Sequence, residues 1–354
     1  MISYQASVSK GWLHEEGGFE FDEKYYLDPL YRRLQDKAMN AFIKKDFLDY
    51  PLYNMEANLM QADYTNESQV LIGGIQPNLI LALILGAEFV FYTDKDMDVS
   101  GNPLNHISKA DQLPQKEQIL DHPFIKEMET QISFLQNEHP ELEIIPPFFW
   151  DSSGRATIHG IITTSFKLIG DNAMLMIIMN PDLLHAVHQW IADVYILLIN
   201  HFAQLTNIQV RSVHVGECSG AMISNDQYGE FVNPYINKIG RCFEKIRLHS
   251  CGLSDHILKS ISEIENLHEI DTGSNTSIAK IRDARGRDFK ISIEPPVKLM
   301  LKDSSEEELM IWLDNALKEN IGGPLNFVLH LESGYSTKNC LMIYDELKRR
   351  MLIN

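Results

Sequence analysis

From about residue 50 onward, short apolar runs alternate with longer amphipathic stretches, a pattern that predicts strands and helices in turn and hence a parallel sheet covered by helices. The runs place strands near Tyr53–Ala57, Phe89–Tyr92, Ile144–Phe149, Val210–Val215, Lys245–His249, Leu267–Ile270, Lys290–Ile293 and Phe327–Leu331. Helices are expected at Pro181–Gln204, Asn225–Glu244, Leu253–Ile264, Ser305–Asn320 and Ser336–Leu352, with Asn225 and Ser305 suited to N-caps and Pro181 to a first turn. Residues 1–49 are polar and aromatic, with one helix at Asp28–Lys45 carrying Leu30, Leu34, Met39 and Phe42; they read as an N-terminal covering arm.

Side chains alternate faces along a strand, so parity sorts these runs into a buried and a chemical side. Val213 and Val215 oppose His214, Gly216 and Cys218; Ile246 and Leu248 oppose Arg247, His249 and Cys251. Leu267 opposes Glu269 and Asp271, and Ile270 joins its side only if a bulge intervenes or His268 turns out. Ile291 and Ile293 oppose Ser292 and Glu294, while Phe327, Leu329 and Leu331 oppose Val328, His330 and Glu332. Polar, chemically capable residues thus collect at strand C-termini on one parity, where barrel enzymes build their sites. No GxGxxG loop or P-loop lysine motif supports a doubly wound sheet. Eight strands predict an α/β chain folded as one (β/α)8 TIM-type barrel domain over residues 1–354.

Composition narrows the function. The length of 354 residues and a hydrophobic share of 44% fit one large core. A net charge of −18 argues against nucleic-acid binding, which rests on Lys and Arg. The apolar stretch Leu79–Tyr92 is interrupted by Gly86 and Glu88 and is too short to span a bilayer, so no membrane partner is expected. No secretory signal pattern opens the chain. Four cysteines (Cys218, Cys242, Cys251, Cys340) do not make a disulfide scaffold and suit a reducing cytoplasm. The Met-rich run Met174–Met179 reads as core filler rather than a cofactor box.

The sharpest chemical signal is His249-Ser250-Cys251-Gly252 at the end of an apolar run. His249 and Cys251 share a strand face, and an imidazole with a thiolate favours zinc over magnesium or calcium. By itself the pair is equally compatible with a strand end holding an inert thiol and a hydrogen-bonded imidazole. Cys218 ends the preceding strand on the same parity, about 4.8 Å away across a parallel pair, and is the preferred third ligand. Glu217 reaches the metal if the backbone bulges at Gly216.

Beyond this point the chain resembles the uroporphyrinogen decarboxylase superfamily, and within it the zinc-dependent methyltransferase branch that acts on corrinoid proteins and thiols. The likeness rests on Phe166-Lys167-Leu168-Ile169-Gly170 before Asn180-Pro181-Asp182, on Ile223-Ser224-Asn225 with Phe231-Val232-Asn233-Pro234-Tyr235, and on Arg247-Leu248-His249-Ser250-Cys251-Gly252. The resemblance implies a barrel with a pocket at its C-terminal mouth, where a His-x-Cys pair and a later Cys hold zinc and the zinc holds a thiolate. Two departures stand out. Residues 1–60 lack the Arg-x-Ala-Gly-Arg segment with which the decarboxylases grip substrate carboxylates. Where the branch carries its last cysteine, this chain has Leu331-Glu332-Ser333-Gly334, which makes Glu332 the competing or fourth ligand; Cys340 and Cys242 fall in helices.

The expected site therefore holds zinc on His249, Cys251 and Cys218 with Glu332 alongside, and uses Glu217, His214 and Asp151 as catalytic groups. Glu56, Asn54, Asp271, Glu294 and His330 line the substrate pocket. The expected activity is zinc-dependent methyl transfer between a small-molecule methyl donor or thiol acceptor and a corrinoid carried by a partner protein. A metal-independent decarboxylase or lyase, or a non-catalytic corrinoid- or metabolite-binding protein, would use the same scaffold. Without the arginine segment, the purified protein should not convert uroporphyrinogen. Coproporphyrinogen formation above a no-enzyme control, read by porphyrin chromatography, would contradict this.

Overall fold

The computed structural model describes residues 1–47, 50, 52–54 and 68–353. Its strands are β1 Ile2–Val8, β2 Leu52–Asn54, β3 Gln69–Leu71, β4 Phe89–Val90, β5 Asp98–Val99, β6 Glu143–Ile145, β7 Arg155–His159, β8 Ser212–Gly216, β9 Ile246–Ser250, β10 Leu267–Thr272, β11 Lys290–Ile293 and β12 Leu325–Leu331. Eight of them form one sheet in the order β2-β1-β12-β11-β10-β9-β8-β7, and its pairings are parallel throughout. β3 pairs with β6, and β4 with β5, in separate two-stranded sheets.

The main sheet is curled. A cavity of about 440 Å³ at the N-terminal ends of its strands is lined at once by Gln5 of β1, Arg155 of β7, Ser212, Arg247, Glu269, Ser292 and Asn326. β1 and β7 stand six places apart in the sheet, so the seven strands from β1 to β7 must bend around a common hollow. The result is an α/β half-barrel; among the described residues the two end strands, β2 and β7, do not pair with each other.

The expected parity holds, and it sets which side chains face the hollow. Val213, Val215, Ile246 and Leu248 are fully buried on the outer, helix-covered face, while His214, Arg247 and His249 face inward. β10 has the bulge that its sequence required. Its register against β9 shifts between Leu267 and Glu269, and His268 turns away to bond the Ile246 carbonyl at 2.6 Å. Leu267 and Ile270 then both reach the outer core.

Two expectations are corrected at the N-terminal half. Residues 2–8 are no covering arm but a strand inside the sheet, pairing with β12 from Ile2↔Leu325 to Val8↔Leu331 and with β2. Its inner positions, Ser3, Gln5 and Ser7, are polar because the hollow is polar, which hid the strand from a search for apolar runs. For the same reason β7 escaped notice: Arg155, Thr157 and His159 alternate with only Ala156 and Ile158. The apolar runs at 89–92 and 144–149 instead supply short strands outside the main sheet.

The helices follow the expected pattern with local changes. The segment 225–244 is two helices, Asn225–Phe231 and Asn233–Cys242, because Pro234 starts the second; Ser224, not Asn225, caps the first through a capping box with Gln227. Pro181–Thr206 is the one described helix long and apolar enough to cross a bilayer, and 61% of its apolar window is packed inside the protein. In Asn172–Met179, Met176 and Ile177 are core, but Leu175, Ile178 and Met179 are 61%, 77% and 79% exposed, so the Met-rich run fills the core on one side only.

Because β1 supplies hydrogen bonds to two neighbours, deleting residues 1–9 should abolish cooperative unfolding. A covering arm could be removed with little loss. A sharp thermal melt by circular dichroism within a few degrees of the full chain would contradict the strand's structural role.

Candidate metal and thiol site

β8 and β9 end side by side, with Gly216 in register with His249. After β8 the chain passes Glu217 and enters a short 3-10 turn, Cys218–Met222; after β9 it turns at Cys251-Gly252. The two turns are pressed together. A Cβ on Gly252 would lie 2.7 Å from the Ala221 Cβ, and one on Gly273, at the end of β10, would lie 2.2 Å from the Cys251 carbonyl oxygen. Glycine at both positions is what allows the thiols to meet. The Ser250 and Ser254 hydroxyls bond at 2.7 Å, and Thr276 Oγ1 donates to the Gly252 carbonyl at 3.1 Å, which holds the Cys251 turn in place.

As a result, ligand atoms of Cys218, His249 and Cys251 lie within 4.8 Å of one another. His249 Nδ1 sits 2.8 Å from Asp271 Oδ2, so the Nδ1 proton is donated to the carboxylate and Nε2 is left for the thiols or a metal. Asp271 is itself held by Arg247, whose Nη2 lies 2.9 Å from the same Oδ2. Arg247 also donates from Nε to Glu269 Oε1 at 2.9 Å and from Nη1 to His214 Nδ1 at 2.8 Å. A guanidinium only donates, so His214 Nδ1 accepts and its ring proton is on Nε2.

These contacts polarise the two thiols differently. A hydrogen bond from Cys218, followed by the His249 imidazole, lowers Cys251 to about 5, whereas that same bond and then burial raise Cys218 well above the ordinary thiol range. Burial works against a charged His249, but Asp271 and the two thiols outweigh it and raise the ring above its ordinary value. Burial likewise opposes an ionised Asp271, and Arg247 and His249 overcome it. His214 is driven the other way, by burial, Arg247 and His249 in that order.

The donor set of two sulfurs and an imidazole nitrogen fits zinc, and three protein ligands leave a position open for a further group. A second constellation adjoins it. Ligand atoms of His249, Asp271 and Glu294 also lie within 4.8 Å of one another, and Asp271 Oδ1 is buried without a hydrogen-bond partner. Glu294 reaches His330 Nε2 at 3.3 Å, and His330 Nδ1 is 2.6 Å from Ser7 Oγ.

Other expected site residues fall elsewhere. Glu217 is fully buried, but its carboxylate accepts from the Ile162 and Thr163 backbone N–H groups and from Thr163 Oγ1, which ties it to the start of helix Ile161–Ile169. Burial raises it to about 7 against those donors. Asp151 precedes β7 and so lies at the opposite end of the sheet from the thiols; it accepts from the Ser153 N–H and faces Arg155 at 3.6 Å. It was placed at the mouth because 144–149 was read as a barrel strand. Glu332 joins neither cluster among the described residues. Cys340 is buried in helix Thr337–Arg349, and Cys242 ends another helix, exposed. Asn54 is described by its backbone in β2 alone, and Glu56 lies outside the described residues. Arg247 and His159 were given no role from sequence, although the parity of Arg247 with His249 already placed it inward.

An α/β half-barrel carrying a Cys-His-Cys cluster at its strand C-termini is the class of protein defined here. A model of the uroporphyrinogen decarboxylase (URO-D) family matches residues 155–336, half of the chain, and the chain belongs to that family. Among solved structures, a methyltransferase from Methanosarcina mazei superposes with a TM-score of 0.62 at 14% identity, covering 97% of this chain and 94% of its own. A B12-independent methionine synthase from Shewanella sp. W3-18-1, solved with selenomethionine, gives a TM-score of 0.48 at 12% identity, covering 99% and 98%. Among curated proteins none matches the chain.

In metal-free protein, Cys251 should react with iodoacetamide with a pH midpoint near 5, while Cys218 stays unmodified through neutral pH. Peptide mass spectrometry across pH 4–9 reads this directly. Equal labelling of both cysteines with a midpoint near 8.5 would show that the hydrogen-bonded thiol pair does not form.

Proposed function

We propose that this protein is a zinc-dependent methyltransferase that activates a thiol, or a similar nucleophile, for methyl transfer to or from a corrinoid carried by a partner protein. The observation that carries this reading is the convergence of Cys218, His249 and Cys251, with Asp271 fixing the imidazole so that Nε2 faces the thiols. The reading takes the curled sheet as part of a closed (β/α)8 barrel of one domain, working in a reducing cytoplasm without nucleic-acid or membrane partners.

Cys218, His249 Nε2 and Cys251 would hold the metal, leaving its fourth position for the substrate sulfur. Bound zinc supplies Lewis acidity that lowers the pKa of a coordinated thiol and holds it as thiolate. The remaining chemistry belongs to the chain. Glu294, paired with His330, accepts the proton that the substrate sulfur loses. Arg247 keeps Asp271 ionised, and Asp271 keeps the His249 ring oriented. The thiolate lone pair then forms the new S–C bond as the methyl group's bond to its donor breaks, the electron pair leaving with the donor.

Zinc affinity should fall at least tenfold in Cys218→Ala and Cys251→Ser and change little in Cys340→Ala, measured by competition with a chromophoric chelator. X-ray absorption of the zinc protein should gain a sulfur neighbour on adding a suitable small thiol, and methylcobalamin should lose its methyl group only when that thiol is present. A metal shell unchanged by every thiol, without demethylation, would favour the non-catalytic binding protein. Turnover of a carboxylated substrate by metal-free protein would favour the lyase.

A further inference from the structure

Three neighbouring strands carry His159, Gly216 and His249 at one level. β7 pairs with β8 at His159↔Gly216, and β8 pairs with β9 at Gly216↔His249. Parallel strands lie about 4.8 Å apart, so the backbones bearing the two imidazoles are roughly 10 Å apart with no side chain between them. The gap is open. A Cβ on Gly216 would meet nothing within 4 Å except the Ile158 carbonyl oxygen at 3.7 Å.

The far wall of this notch is an unsatisfied imidazole. His159 has the inward parity of Arg155, and its Nδ1 is buried without a hydrogen-bond partner. Such a group is costly to leave unpaired, so a ligand atom that pairs with it gains more than one that merely displaces water. Burial, then Lys167 and His249, hold the ring at about 4, so it is neutral at physiological pH. The Glu217 carboxylate beside Gly216 is turned away: it packs against Gly160, where a Cβ would meet its Oε2 at 2.2 Å, and is spent on the helix start, while Asp96 acts on the ring only weakly against burial, Lys167 and His249.

We infer that the notch over Gly216 is a substrate subsite, with His159 as the hydrogen-bond partner of an uncharged polar group, a hydroxyl or amide, carried about two carbons from the sulfur held at Cys218, His249 and Cys251. One strand spacing separates the sulfur anchor from the notch, which matches the sulfur-to-oxygen reach of a two-carbon chain. The unpartnered Nδ1 calls for one hydrogen-bonding atom, and a hydroxyl or amide supplies a donor or an acceptor whichever tautomer the ring holds. The inference rests on the thiol-activating reading, since that reading puts the sulfur beside His249.

The test compares 2-mercaptoethanol with 1-propanethiol, which differ by a hydroxyl in place of a methyl group. Each is titrated into cobalt-substituted protein and followed by its sulfur-to-cobalt charge-transfer band. Wild-type protein should bind 2-mercaptoethanol about tenfold more tightly, as expected for one hydrogen bond to a buried group. His159→Phe should erase that preference while leaving 1-propanethiol affinity and cobalt stoichiometry unchanged. His159→Gln, which keeps a donor and an acceptor, should restore part of it. Gly216→Ala should weaken 2-mercaptoethanol binding by filling the notch. Nitrogen-15 NMR of the His159 ring should shift with 2-mercaptoethanol and not with 1-propanethiol. Thiols that bind wild-type protein without preference, or a preference that survives in His159→Phe, would overturn the subsite and leave thiol activation standing. Failure of both thiols to perturb the cobalt spectrum would overturn both.

Discussion

The Asp271 carboxylate is the contact on which the site depends. One of its oxygens accepts from both His249 and Arg247, and Asp271 and Arg247 are both buried. A buried carboxylate on this scale is tolerated only when paired, and here its two cationic neighbours also need it. Removing it would leave Arg247 with an unmatched charge and the His249 ring free to rotate. The same residue therefore keeps the lumen folded and decides which imidazole nitrogen faces the thiols.

That constraint explains why the inner wall of this sheet is polar. Barrel interiors are ordinarily packed with branched apolar residues, but here Arg247, Glu269, His214, Ser292 and Asn326 occupy those positions and satisfy one another. The hydrophobic core has moved to the outer face, between strands and helices, where Val213, Val215, Ile246, Leu248 and Phe327 are buried. The arrangement separates stability, carried outside, from electrostatics, carried inside. Glycines at 216, 252 and 273 serve the second role, leaving space or allowing turns to close around the sulfurs.

The parity of the strands from 210 onward was legible because each carries an unbroken apolar face against helices. His249, Cys251 and Cys218 could be placed together from that parity and from strand adjacency alone. Asp271, Glu294 and His330 were recognised as lumen residues, yet their pairings were not, since a hydrogen-bond partner across the hollow is set by sheet curvature. Asp151 was misplaced because an apolar run outside the main sheet looks, in sequence, like a strand within it.

The sequence by itself determined the α/β class of fold, the outer core and the convergence of Cys218, His249 and Cys251, because alternation and local spacing are properties of neighbouring residues. Only the tertiary structure decided that residues 2–8 and 155–159 are sheet strands, since their inward positions face a polar interior and give no apolar signal. It also decided that Glu217 turns to a helix start and that His159 faces a gap at Gly216. Those outcomes depend on which strands become neighbours and how far the sheet curls, and contacts between residues 54 to 323 positions apart leave no trace in any local pattern.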